Sequence, residues 1–252
     1  MRTGWIGIVL VWLAAVTAVS AQTARGDYVI EYGIFGKMGT AQAIIERNAT
    51  RYRIEMTARA TGLAKVLSGG RVERYSSEGR IQKGRLVPDR YSKDVAYSGK
   101  RRVKHYRFDH KARKVSVHEI TYRGDSVKER NDTLPYYADN DIFSLYFNIG
   151  RIIGDCAKPF DQDLYAVGAE KKTGRVHVKT IVGERERMLA TELLGKGACY
   201  LQVTVYQKLF GSKGGVLYLA LRDDGIAMSA VLKDVVMFGD IRGRMVEYKE
   251  SD

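Results

Sequence analysis

The sequence predicts an all-β domain: a strongly curved antiparallel sheet or half-open β-barrel with one or two short helices against its concave side. Three observations predict it. Apolar and polar residues alternate with a period of two through most of the chain. That spacing sorts side chains onto two faces of a strand but would scatter them around a helix. Turn signals recur between these runs, and 26 Gly stand against only 3 Pro, so bends form readily while few ladder hydrogen bonds are lost. Helical spacing replaces the alternation in only two segments.

The chain opens with a segment that does not belong to the fold. Arg2 is followed by the apolar run WIGIVLVWLAAVTAV and then by small residues before Gln22. This is the order of a secretory signal peptide, and the run is too short for a comfortable membrane span. Residues 1–21 are therefore expected to be a cleaved signal peptide, and residues 22–252 a single exported β domain in the periplasm. That length can bury one sizeable core.

The elements follow in order. A strand from Tyr28 and another from Thr40 are linked by GIFGKMG, read as a hairpin loop. It lacks the order of a phosphate-binding glycine loop, and no helix follows it. In YRIEMTARAT, Tyr52, Ile54, Met56, Ala58 and Ala60 fall on one face, and Arg53, Glu55, Thr57, Arg59 and Thr61 on the other. TGLAKVLSGG places Leu63, Val66 and Leu67 at helical spacing and reads as a short helix. KVSVHEITYRG and ACYLQVTVYQKLF are strand-like, rich in β-branched and aromatic residues. DNDIFSLYFNIGRIIGD reads as the main helix, capped by Asp139 or Asp141. Ile142, Tyr146 and Ile149 share one face of it, and Phe143 and Phe147 widen that face. Its aromatic stripe offers Phe143, Tyr146 and Phe147 as candidate ligand-lining groups, with ordinary core packing as the other reading.

Near the C-terminus, LYLALRDDGIAMSAVLK sets Asp-Gly between two alternating apolar runs, a strong hairpin signal. Asp223 and Asp224 then lie at a solvated tip, and neighbouring strand residues point to opposite sides, so they do not converge as an acid/base pair. A second hairpin is expected at MFGDIRG. Of the four histidines, His105, His110 and His118 fall across one expected hairpin, and His177 lies apart. No Cys or carboxylate pair joins them at a familiar ligand spacing, so no metal site is expected. No G-x-S-x-G elbow is present, and no cofactor is implied. Cys156 and Cys199 are even in number in an exported chain. They form either one disulfide or two buried thiols.

The formal net charge is +13. For an exported chain this points to lipid head groups or acidic polysaccharide rather than nucleic acid, or simply to well-solvated outer strand faces. Lys100, Arg101, Arg102, Lys104, Arg107, Lys111, Arg113 and Lys114 are candidates for an anion-facing patch, interleaved with Tyr106 and Phe108. The alternative is a charged strand edge that resists aggregation.

The stretches YVIEYGIFGKMGTAQAII, RYSSEGRIQKGRLVPDRYS, DIFSLYFNIGRI and LYLALRDDGIAMSAVLKDVVMFGDIRGRM together resemble a family of bacterial exported proteins, the domain of unknown function 3108 family. The resemblance runs from about Asp27 to Lys249. Two details depart from it: an aromatic is expected near Leu219, and Pro near Ala227 or Met228. The family's architecture is similar to that of bacterial lipoprotein carriers, and the resemblance brings no catalytic residues. The expected function is non-enzymatic: binding a hydrophobic or amphiphilic molecule in the sheet's concavity, with a basic rim drawing an anionic head group. A peripheral membrane contact is left open. The alternatives are an envelope assembly or scaffold protein and a cell-wall carbohydrate enzyme. Neither ligand identity nor oligomeric state is read from the sequence.

Overall fold

The computed structural model describes residues 21–206, 214–235 and 239–251, with residue 34 described by its backbone alone. The expected signal peptide lies, except for Ala21, outside the described residues. Residues 207–213 and 236–238, the latter including the start of the expected last hairpin, lie outside them too.

The N-terminal half is a meander of eight strands: β1 (Gln22–Tyr32), β2 (Gly36–Arg47), β3 (Arg51–Ala60), β4 (Val72–Gln82), β5 (Arg85–Tyr97), β6 (Lys100–Asp109), β7 (Lys114–Arg123) and β8 (Ser126–Thr133). A short helix, α1 (Gly62–Leu67), joins β3 to β4. The chain then crosses through the two-residue strand β9 (Asn140–Asp141) into helix α2 (Ile142–Ile153). The second half comprises β10 (Asp161–Val167), β11 (Arg175–Thr180), helix α3 (Glu184–Leu194), β12 (Cys199–Val205), β13 (Val216–Leu221), β14 (Ala227–Val235) and β15 (Gly239–Ser251).

All fifteen strands form one sheet in the order β8-β7-β6-β5-β4-β3-β2-β1-β15-β14-β13-β12-β11-β10-β9. Pairing is antiparallel except between β9 and β10. The two meanders are joined where β1 pairs with β15. The sheet does not close into a barrel, but it curls. Strands β5 and β10 are ten places apart in the sheet order. Were the sheet flat, they would be separated by roughly 48 Å. Yet α2 packs against both. Its Leu145 and Ile149 join Val176, Val178, Leu201 and Leu221 of the second half. Phe143 and Phe147 lie against Ile45, Tyr52, Ile54 and Leu86 of the first. The helix thus occupies the concavity, because its apolar residues point both ways.

Helix content differs from expectation in two of three respects. α2 lies in the concavity as expected and begins at the second of its two candidate caps, Asp141. α1 buries none of its residues and sits on a rim. α3 is unexpected, and it packs on the other face of the sheet: Ala190 and Leu194 join Ile181, Tyr200, Ala220 and Val231. Tyr200 and Ala220 alternate with Leu201 and Leu221, which face α2. Strands β12 and β13 are therefore covered on both sides, as their nearly continuous apolar runs require.

The turn at Asp223–Asp224–Gly225 links β13 to β14. The amide of Arg222 donates to the Ile226 carbonyl at 2.9 Å, and Asp224 accepts from the Ile226 amide at 3.0 Å. Gly225 has φ +83°, a conformation that costs glycine little. Both carboxylates are exposed, and Asp224 pairs with Arg222 at 3.1 Å. Cys156 and Cys199 are disulfide-bonded across 43 positions. Such a closure disfavours the unfolded chain by about 4 kcal/mol on the loop-entropy model.

Candidate functional site

At one end of the N-terminal meander, the β4–β5 turn, the β6–β7 turn and the flank of α2 enclose a groove of about 910 Å³. Leu86, Val87 and Ile152 supply its apolar floor, and Arg80, Lys83 and Arg85 its basic wall. A second depression, which shares Arg80 and His110, continues it past Arg107, Lys111 and Lys114. The guanidinium of Arg151, in the last turn of α2, lies over Gly84 between Lys83 and Arg85. Arg80 pairs with Asp89 at 3.1 Å. Among the described residues Lys83, Arg85 and Arg151 make no ion pair, and the groove's lining carboxylate, Asp139, accepts the Tyr137 hydroxyl at 2.8 Å, so the lining carries more positive than negative charge.

The groove's shape is held by polar contacts that sequence reasoning missed. Asn148, buried on α2, clasps the backbone of Leu86. Its Oδ1 accepts from the Leu86 amide at 2.9 Å, and its Nδ2 donates to the Leu86 carbonyl at 2.8 Å and to Asn140 Oδ1 at 2.8 Å. A strand residue is thus fastened to a helix 62 positions away. On the opposite wall His110 sits between the Tyr137 hydroxyl at 2.7 Å and the Pro88 carbonyl at 2.6 Å, which fixes the β6–β7 turn to β5.

Behind the groove lies a buried carboxylate. Asp141 is fully buried. Its Oδ1 accepts the amides of Phe143 and Ser144 at 2.8 and 2.9 Å, its Oδ2 accepts the Ser77 hydroxyl at 2.6 Å, and its own amide donates to Ser144 Oγ. Ser77 in turn contacts the Tyr52 hydroxyl at 3.0 Å. Burial pushes the Asp141 carboxyl up to about 6, against the opposing pull of the Ser77, Ser144 and Phe143 hydrogen bonds. One side chain therefore joins the N-terminal meander, the helix start and, through β9, strand β10. Sealed from solvent and satisfied by its neighbours, it is a structural junction.

The candidate ligand-lining aromatics are placed within packing layers. Phe143 meets Tyr75 edge-on at 5.7 Å and Tyr91 at 6.2 Å. Phe147 lies with Phe143 beside Leu86, behind the groove floor. Tyr146 points toward the second half, where its hydroxyl accepts the Ala227 amide at 2.5 Å. Tyr146 also meets Phe147 edge-on at 5.0 Å, while Phe143 and Phe147 share the cluster of Ile45, Tyr52, Ile54 and Leu86.

The expected basic patch is divided. As an extended strand, β6 separates Lys100, at its start, from Lys111, in the turn beyond its end. Arg101 forms a bidentate pair with Asp94, Arg102 and Lys104 pair with Glu119, and Arg113 stacks over Tyr137 at 4.6 Å. Arg107, Lys111 and Lys114 remain at the groove. Tyr106 stacks on the fully buried Tyr91 at 5.3 Å, and Phe108 is buried, so neither offers an open face to a base. His105 and His118 are cross-strand neighbours, with His118 at 3.1 Å from Glu129. His177 lies between Asp161 and Asp163, 3.0 Å from each. Among the described residues no three His, Cys, Asp or Glu are grouped to hold a metal ion, and no helix is long and apolar enough to cross a membrane.

Fold and site together define a class: an open, curled, antiparallel sheet wrapped around one helix, with a basic groove at its rim. The chain belongs to the family described as Protein of unknown function (DUF3108), whose family model matches residues 27–246. No curated protein matches it. No solved structure matches it either.

Proposed function

We propose that this chain is an exported binding protein, without chemistry of its own, that holds an amphiphilic molecule with an anionic head group at the concave rim of the sheet. The observation that carries the reading is the groove's two-part lining: Leu86, Val87 and Ile152 beneath Lys83, Arg85 and the overlying Arg151. Apolar surface beside unpaired cations suits a short hydrocarbon segment ending in phosphate or carboxylate. Burial of the hydrocarbon supplies affinity and the guanidinium groups supply orientation. Phe143 and Phe147 support the floor from behind.

The test is extraction and mass spectrometry of lipid from protein purified from its own envelope, followed by titration with a fluorescent anionic lipid. Retention of an anionic amphiphile, and at least about ten-fold weaker uptake by Lys83→Glu/Arg85→Glu, is the expected result. Protein that emerges without amphiphile and takes up no fluorescent lipid would overturn the reading. A second reading, envelope assembly through protein contacts, draws on the helix that fills the concavity. It predicts a stoichiometric partner in pull-downs and no lipid.

A further inference from the structure

At the rim opposite the groove, three connections come together. The 3-10 turn Gly33–Phe35 joins β1 to β2, α1 joins β3 to β4, and the Ser98–Gly99 turn joins β5 to β6. Backbone hydrogen bonds tie them into one surface: the Thr61 amide donates to the Met38 carbonyl at 2.9 Å, and the Ser98 amide to the Gly69 carbonyl at 2.8 Å. On this surface α1 turns its apolar residues outward. Leu63 is 49% exposed, Val66 76% and Leu67 63%, with Phe35 at 46% and Tyr97 at 38% beside them. A short helix that fully buries none of its residues gains little from packing, and so short a helix is marginal in water by itself.

The three connections themselves carry charge of one sign, with Glu31 opposite Lys37 in the β1–β2 register as the neighbouring carboxylate. Segments 33–39, 61–72 and 97–102 contain Lys37, Lys65, Arg71, Lys100, Arg101 and Arg102 and no Asp or Glu. Arg71, Arg101 and Arg102 are paired with Glu73, Asp94 and Glu119 from adjoining strands. Among the described residues Lys37, Lys65 and Lys100 make no ion pair. Apolar side chains projecting from a hydrogen-bonded edge, ringed by unpaired lysines, are the two ingredients of interfacial attachment: shallow insertion plus attraction to anionic head groups. A protein partner would need matching carboxylates and a shaped apolar recess. A leaflet needs only negative surface charge, to which the unpaired lysines of this rim are complementary.

We propose that the α1 rim docks on an anionic lipid surface, inserting Leu63, Val66 and Leu67 at head-group depth while Lys37, Lys65 and Lys100 contact phosphates. This site lies at the other end of the strands from the groove, separated from it by the length of β5, and its assignment does not depend on the groove's.

The test is co-sedimentation of the purified protein with vesicles of phosphatidylcholine alone or of phosphatidylcholine with a quarter phosphatidylglycerol. Expected is at least about ten-fold stronger partitioning to the anionic vesicles, weakened by added salt. Val66→Ser/Leu67→Ser should lower it by about ten-fold or more, and Lys37→Glu/Lys65→Glu should remove the preference for anionic lipid. These side chains are exposed, so an unchanged circular dichroism melt is expected for both variants. Lys83→Glu/Arg85→Glu should leave vesicle binding intact, which separates this proposal from the groove reading. Equal partitioning of the parent and the Val66/Leu67 variant would overturn it. So would sedimentation equilibrium showing a dimer of the parent that Val66→Ser/Leu67→Ser dissociates.

Discussion

The buried Asp141 permits a prediction whose sign is fixed by the structure. Its carboxyl has no solvent contact and titrates at about 6 in the folded protein, against 3.8 for an unperturbed Asp. Because the folded state binds this proton more tightly than the unfolded state, the group's contribution to stability is fully present below the unfolded value. It is lost as pH rises through the folded value. The difference between the two values corresponds to about 3 kcal/mol. Asp141→Asn removes the titration and preserves most of the geometry: Oδ1 still accepts from Phe143 and Ser144, and Asn caps helices about as well as Asp. Relative to the variant, the parent should therefore lose about 2 kcal/mol between about pH 4.5 and about pH 7.5. For a domain of this size that is about 4–8 °C in the midpoint difference. Other carboxylates titrate in both proteins and cancel. The assay is a pair of thermal melts, parent and variant, at each pH. Midpoint differences that do not change with pH would refute the reasoning. Asp141→Ala should be destabilised at both pH values, by about 1–3 kcal/mol, since two helix amides and the Ser77 hydroxyl lose their acceptor.

Two further perturbations test the packing. Tyr91 is fully buried and, among the described residues, its hydroxyl has no hydrogen-bond partner. Tyr91→Phe should therefore leave stability unchanged or raise it by about 1 kcal/mol in chemical denaturation, because a desolvated and unpaired group is removed; a loss above that size would reveal a partner. Gly79 lies at the bulge where β4 passes Pro88, and a Cβ there would come within 2.1 Å of the Val87 carbonyl oxygen. Gly79→Ala should cost more than about 2 kcal/mol, measured as a lowered denaturant midpoint, and a near-neutral result would show that this bulge yields.

The alternation in YRIEMTARAT makes β3 legible because one of its faces is buried and the other is wet, so Tyr52 and Ile54 fall inside while Arg53 and Glu55 fall outside. Asp-Gly marks the β13–β14 turn for an equally local reason. α3 is hidden because its contact stripe is narrow. Glu184, Arg185, Glu186 and Arg187 open it, and Met188 and Leu189 remain exposed, so only Ala190 and Leu194 are buried. The signal lies in its neighbours instead: VLYLAL and CYLQV are apolar on both faces, which demands a second covering layer. The candidate site is the least legible part. Its wall residues come from Arg80 to Ile152, and the clasp between Asn148 and Leu86 is a tertiary contact with no periodicity. The basic cluster 100–114 is contiguous in sequence, yet an extended strand carries its members to opposite rims.

The first and last strands are neighbours at the seam of the sheet, with Thr23 opposite Ser251. A polypeptide synthesised N-terminus first can zip β1 through β8 locally, but β1 keeps an open edge until β15 has been made. The sheet becomes continuous only after that last strand docks, so this seam forms late and non-locally, a contact of high sequence separation that slows folding. During that interval the bare edge is a template for foreign strands. Moving β15 ahead of β1 by circular permutation would convert the seam into a hairpin and should speed refolding, read by stopped-flow fluorescence, without altering the finished sheet.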